Sequence, residues 1–276
     1  MNFLTTPILN LLIATYKIFE ALGIPGALGL SIITMTTLIR LALWPLTSSQ
    51  LKSTQKMAAL KPHLDRIKAE HGHDKVRHQQ EVNKLYKEHN INPLAGCLPL
   101  LLQIPVFYAL FNVLNGKGNG LVNHLGQENF LSMVNDRLYT PMLHLANTPS
   151  TKFLGFNLAD KPSDWKQVGI LILLIPLLTG VFQFAQSKMI TAPTPKTAVV
   201  KKSDGEKKKE DTEDTMAQVS SQMTFLMPAM IAFFSYGFPL GLSLYWNTFT
   251  IIGIIQQYMI AGAGALNQYL PEKWRK

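Results

Sequence analysis

Arg40 is the one ionisable side chain between Ala27 and Leu46, in a run of leucine, isoleucine, alanine and tryptophan. A guanidinium stays charged at any ordinary pH, and at the centre of a bilayer it costs about 2.5–3.5 kcal/mol on insertion scales. Thr36 and Thr37 lie one helical turn before it and approach the same face. Other apolar runs are interrupted in the same way: by Gln103, by Thr179, Gln183 and Gln186 at spacings of four and three, and by Trp246, Asn247, Thr250 and Gln257. Converging faces of this kind line a hydrophilic cavity around one permanent positive charge. No aspartate or glutamate lies in any of these runs, although a buried structural arginine calls for a carboxylate. The chemistry this supports is reversible pairing with water or a visiting anionic group. Two plainer readings stand beside it. Arg40 snorkels toward the membrane surface near Gln50, about 15 Å along a helix, and the threonines and glutamines join helices by hydrogen bonds.

Bond-making constellations are missing. No Ser/His/Asp set, paired intramembrane carboxylates, HExxH motif or phosphate-cradling glycine loop can be quoted. An enzyme is therefore not expected, and no catalytic residue, metal ligand or cofactor is assigned. His63, His71, His73, His78 and His89, with Asp74 one turn before His78, read as a solvated face. Cys97, alone in the sequence, allows neither an intrachain disulfide nor a Cys/His zinc pattern.

To position the polar residues the chain needs membrane-crossing helices. Its 276 residues are 47% hydrophobic and 16% charged, which points to the membrane class. Apolar runs at 28–46, 94–114, 168–186, 223–240 and 242–263 approach or exceed the roughly 18–20 residues that cross a hydrocarbon core. The expected fold is an all-α membrane protein with five transmembrane helices, at 25–50, 93–115, 166–189, 221–240 and 241–263. Residues 1–24 read as an outer interfacial amphipathic helix, because Asn10, Thr15, Lys17 and Glu20 interrupt them.

Residues 51–92 read as a cytoplasmic antiparallel helical hairpin. Met57, Leu60, Leu64 and Ile67 give it an apolar seam, Gly72 a stop and Asp74 an N-cap. Pro62 either kinks its first helix or sits in the first turn. Asn92 and Pro93 restart the chain into the second span. Residues 116–165 form an extracytoplasmic loop, 190–220 a disordered cytoplasmic loop dense in charge, and 264–276 a basic cytoplasmic tail. Lysine and arginine number nine in 51–92, six in 189–221 and three after Leu270, against four in 115–165. With five spans the three basic segments share one side, which the positive-inside rule makes the cytoplasm. The N-terminus is then outside and the C-terminus inside.

Three blocks carry a family resemblance: GLSIITMTTLIRLALWPLTSSQLKSTQKMAALKPHLDRIK, LYKEHNINPLAGCLPLLLQIPVFYALF and FPLGLSLYWNTFTIIGIIQQYMI. They resemble the bacterial type of the YidC membrane-protein insertase family, within the YidC/Oxa/Alb superfamily, and NPLAGCLPLLLQIPVFYAL is a highly specific signature. The resemblance implies a hydrophilic groove open to the cytoplasm and the lipid but closed toward the outside, in a bacterial inner-membrane protein. The family arginine falls on Arg40, and groove positions of the third and fifth helices fall on Gln186 and Trp246. Thr36, Thr37, Gln103 and Gln183 are added from spacing.

The implied function is insertion and chaperoning of nascent membrane proteins. Implied partners are those substrates, the ribosome through the basic segments, the Sec translocon, the signal recognition particle pathway and anionic lipids, with no specific nucleic acid sequence. Against the family pattern, the sequence shows no large extracytoplasmic domain, no lipoprotein signal and only a short basic tail, PEKWRK. A competing class is a small anion transporter or channel with Arg40 as selectivity charge. It needs an outward path or inverted repeats, and neither is evident. A third is an assembly chaperone without insertion activity.

Overall fold

The computed structural model describes residues 2–89, 98–115, 120–121, 127–190 and 212–269. Helices α1 (Asn2–Ala21), α2 (Ala27–Ala42), α3 (Trp44–Ala59), α4 (Lys61–His71), α5 (Lys75–Glu88) and α6 (Leu98–Asn115) come first. They are followed by α7 (Phe130–Asn135), a two-stranded hairpin β1 (Lys152–Phe153) and β2 (Phe156–Asn157), then α8 (Trp165–Val168), α9 (Leu174–Ile190), α10 (Thr212–Gly237) and α11 (Leu240–Ala261). The chain divides into two units. The first comprises Met1–Trp44, Leu100–Phe182 and Met230–Ile252; the second comprises Pro45–Pro99, Gln183–Ala229 and Gly253–Lys276.

The first unit is organised around apolar faces with helical spacing. Ile8, Leu9, Leu12, Ile13 and Tyr16 form one buried stripe of α1. It packs on α2, and the shared core takes in Ile32 and Met35 of α2, Leu110 and Leu114 of α6, and Leu242 and Tyr245 of α11. The polar interruptions of α1 are tied into the structure. Asn10 donates through Nδ2 to the Arg137 carbonyl at 3.1 Å and accepts the Tyr139 N–H at 2.7 Å. Lys17 Nζ donates to the His144 carbonyl at 2.8 Å. Asn10 and Lys17 thus clamp α1 onto the loop that follows α6.

That loop is a built element. Phe130 and Val134 of α7 are buried, and the Asn135 amide bonds both the N–H and the carbonyl of Leu145, imitating a strand partner. The Phe153 ring lies against Gly29 of α2, where any Cβ would overlap it. The hairpin turn places Leu154 at φ 49 and Gly155 at φ 85, a left-handed conformation that costs a residue with a Cβ about 1–2 kcal/mol. The Asp160 and Leu158 carbonyls accept the Leu240 and Gly241 N–H groups, capping donors that the start of α11 would otherwise leave unpaired.

The second unit is built on different material. Asp74 caps α5, its carboxylate accepting from the Val76 and Arg77 N–H groups. Pro62 lies in the first turn of α4, where its missing N–H costs nothing. Helices α4 and α5 pack together, with the His63 and His89 rings 6.4 Å apart. In the same unit Gln256 donates to Thr47, Gln55 to the Ala261 carbonyl and Gln257 to the Met189 carbonyl. Gly264 (φ 54) is pressed against the Met189 carbonyl so closely that only glycine fits.

Several boundaries differ from expectation. The helix expected over 25–50 breaks at Leu43, whose N–H closes α2 on the Ile39 carbonyl. Pro45 follows, and its ring cannot continue the α2 ladder. Helix α3 therefore crosses the expected start of the hairpin at residue 51, and the seam from Met57 to Ile67 is divided at Leu60 between α3 and α4. The 190–220 segment expected to be disordered is helical at both ends: Ile190 closes α9 and α10 starts at Thr212, where Glu213 and Asp214 suit a helix N-terminus. Residues 264–269 of the expected tail form a 3-10 helix, Gly264–Tyr269. Asn92, Pro93, Cys97 and 191–211 lie outside the described residues. By length and apolarity alone, Ile170–Ile190 is able to cross a membrane, Ala27–Ala42 only when joined to Trp44–Met57, and Ile104–Leu114 and Phe225–Gly237 are shorter apolar helices.

Candidate functional site: a buried arginine on aromatic packing

Arg40 stands in the last turn of α2, close to the break at Leu43 and not midway along a span. Its side chain is 6% exposed. The guanidinium carbon lies 3.9 Å from the centre of the Phe249 ring, and Nε and Nη2 both donate to the Phe249 backbone carbonyl at 3.4 Å. The sequence pattern suggested an arginine without a protein partner. The structure corrects that, because α11 supplies a carbonyl and a ring face. Both of these contacts are to neutral groups and orient the guanidinium.

The threonines are occupied locally. The Thr36 hydroxyl donates to the Ile32 carbonyl at 2.6 Å and that of Thr37 to the Ile33 carbonyl at 2.8 Å, the back-bonding common in apolar helices. Thr36 is buried and Thr37 half-buried. Trp246, one turn before Phe249 on α11, is half-buried and meets the Phe107 ring edge-on at 5.2 Å. Phe107 is four residues beyond Gln103 on α6, and only the backbone of Gln103 is described. The helices carrying Arg40, Gln103 and Trp246 therefore meet at α11, within the first unit. Gln183 and Gln186 belong to the second unit, where both are half-buried on α9.

Two features escaped sequence reading. The buried hydroxyls of Thr179, Ser235 and Ser243 form a chain, with steps of 3.4 and 3.2 Å. Ser235 and Ser243 flank the Phe238–Pro239 turn, so no single helical period joins them. Next to Trp246, Asn247 Oδ1 is buried with no hydrogen-bond partner among the described residues. Ser48 Oγ, Gln50 Nε2 and Gln257 Oε1 of the second unit are in the same condition. Orphaned buried acceptors and donors mark places that take up water or a polar ligand. Among the described residues of the first unit, the arrangement holds a cation on Phe249 and, on the same helix α11, the incompletely satisfied amide of Asn247.

A family model described as 60Kd inner membrane protein matches residues 19–265. The chain is similar to the membrane protein insertase YidC of Fusobacterium nucleatum, 32% identical over 240 residues that make up 87% of this chain and 89% of that protein. It is also similar to the membrane protein insertase YidC of Rickettsia conorii, 33% identical over 253 residues. That match takes in 90% of this chain and 38% of the relative, so this chain spans well under half of that protein. An active YidC insertase crystal structure with the first transmembrane domain resolved superposes with a TM-score of 0.54 at 21% identity, covering 93% of this chain and 46% of that one. That likeness supports the fold. With a family match over most of its length and a relative matched nearly end to end, this chain belongs to the YidC family of membrane-protein insertases.

Proposed function

We propose that this protein inserts nascent membrane proteins by lending short polar segments a hydrophilic path partway across the bilayer. The observation that carries the reading is a buried arginine held on α11, the helix that also carries a buried, unpartnered amide oxygen. Arg40 rests on Phe249 through neutral contacts, and two residues earlier Asn247 Oδ1 lies buried without a partner. Water drawn to such groups shortens the low-dielectric stretch a polar terminus must cross. Arg40 attracts passing carboxylates and releases them, while the client's apolar helix moves into lipid, driven by hydrophobic transfer and membrane potential.

In this reading the chain crosses the inner membrane five times with its N-terminus outside. Helices α4 and α5 form a hairpin in the cytoplasm, and the groove includes Thr36, Thr37, Gln103, Gln183, Gln186 and Trp246 with Arg40. The basic cytoplasmic segments contact the ribosome and anionic lipid, and clients arrive through the signal recognition particle pathway or the Sec translocon. No cofactor is required.

A photo-crosslinker at Gln183, with Thr148 of the outer loop as control, tests this. Membranes receive ribosomes carrying a stalled single-span protein. Adducts at Gln183 that depend on nascent-chain length, and none at Thr148, are expected. A reactive probe in folded protein that captures no client at any length rejects the reading and moves attention to anion flux.

A further inference from the structure

The α1–α2 turn, the β1–β2 hairpin and the residues leading into α9 enclose a cleft of about 1280 Å³ within the first unit, and Arg40 is not among its lining residues. Its walls are mostly apolar, formed by Ile24, Phe153, Leu154, Val168, Leu171 and Ile172. Leu154 is 83% exposed and Leu171 64%. At Gly23, Gly155 and Gly169 the wall is bare backbone facing open space, for a Cβ there would meet nothing within 4 Å. Leu154 also holds the left-handed turn position that asparagine or glycine ordinarily takes in a two-residue hairpin. An exposed leucine at a strained position gains nothing in water; hydrocarbon against it supplies a reason for it.

Three charged side chains line the same cleft: Lys152, Glu20 and Asp160. Glu20 is held in place by the Tyr16 hydroxyl, which donates to it at 3.0 Å. One cation and two carboxylates above an apolar wall match a molecule that has a phosphate, an amine and a hydrocarbon tail. We propose that this cleft binds a phospholipid with a primary-amine headgroup, its phosphate paired with Lys152, its ammonium with Glu20 and Asp160, and an acyl chain along Leu154, Val168 and Leu171. The proposal rests on the membrane placement of Ile170–Ile190 given above, since the cleft adjoins the start of that helix. Burial, with Asp164 adding to it, holds the Asp160 carboxyl above the ordinary carboxylate range, and an ammonium group relieves that condition. A phosphoglycerol headgroup brings no cation to the two carboxylates, and a trimethylated amine has no N–H to donate.

Native mass spectrometry of the full chain tests this, with equimolar palmitoyl-oleoyl phosphatidylethanolamine, phosphatidylcholine and phosphatidylglycerol added to the detergent solution. Phosphatidylethanolamine is expected to be retained about tenfold over the other two, the scale of one well-placed set of charge-assisted hydrogen bonds. Combining Glu20→Gln with Asp160→Asn brings the preference close to unity, and Leu171→Trp, which fills the cleft, lowers retention of all three lipids. Val168→Trp carries the same test should Leu171→Trp fail to fold by thermal unfolding. Equal retention of the three lipids, a preference for phosphatidylglycerol, or indifference to these variants overturns the proposal. Alkaline extraction of membranes reports separately on placement. A chain washed off the membrane defeats the functional reading, whereas an embedded chain without headgroup preference defeats this inference alone.

Discussion

The two units bury different things. In the first, Leu9, Leu12, Ile32, Met35, Leu110 and Leu242 are almost wholly enclosed, and even the loop between α6 and α9 contributes Phe130, Leu145 and Leu158 to the core. In the second, the described interior holds Leu60, Val82, Met189, Ala263 and Ala265 together with His78 and the amides of Gln50, Gln256 and Gln257. The polar groups enclosed in the first are mostly hydroxyls, such as Thr36, Thr179, Ser235 and Ser243, with Asn10 and Arg40. An apolar interior is held by packing that resists rearrangement. One rich in amides is held by directional bonds, several of them incomplete among the described residues. The proposed function has a use for both: a frame that keeps its shape and a neighbourhood whose partners can be exchanged.

The largest expected effect compares two leucines. Leu12→Ala removes a fully enclosed side chain of the first unit and should lower stability by about 3–5 kcal/mol, against about 2 kcal/mol for Leu60→Ala at the α3–α4 break. Denaturant titration in micelles reads both, and equal losses would erase the contrast. Next comes Asn10→Leu. It strips the Tyr139 N–H and the Arg137 carbonyl of their partner, at about 1–3 kcal/mol, and should expose the loop near Tyr139 to protease. If cleavage there stays unchanged, the clamp is dispensable.

Smaller still is Asp74→Ala, which removes the α5 cap for about 1 kcal/mol. Hydrogen exchange should quicken in the first turn of α5 and stay constant in α1; a change in α1 would show the units to be more tightly coupled than their interiors suggest. The smallest effect belongs to Asp160. Its pKa in the folded protein is raised, so it contributes stability that is present at low pH and lost as pH rises through that value. Asp160→Asn should flatten the stability profile just above the pH at which an ordinary carboxylate titrates. A profile that keeps its slope would place the titrating group elsewhere.

What the sequence revealed followed the range of the interaction concerned. The Asp74 cap and the first-turn Pro62 depend on neighbours within a few residues, and both could be read directly. The break at Leu43 was signalled by Pro45, but the apolar run continued past it and hid the stop. The role of Asn10 was beyond reach, because its partners lie 127 and 129 residues away and are backbone groups without a sequence signature. The site divides along the same line. Arg40 declared itself by being charged among leucines, whereas the Phe249 carbonyl that receives it looks like any other position in an apolar helix.

Helix α2 is 16 residues long, a rise of about 24 Å, whereas a hydrocarbon core measures about 30 Å. In the arrangement proposed above, the lipids around it face a hydrophobic mismatch. Each ångström by which they compress to meet the helix costs a fraction of a kcal/mol, and also removes an ångström from the oily distance a client's polar end must travel. In that arrangement, by ending α2 early, Leu43 and Pro45 act on the solvent as well as on the protein, drawing the bilayer thinner beside Arg40.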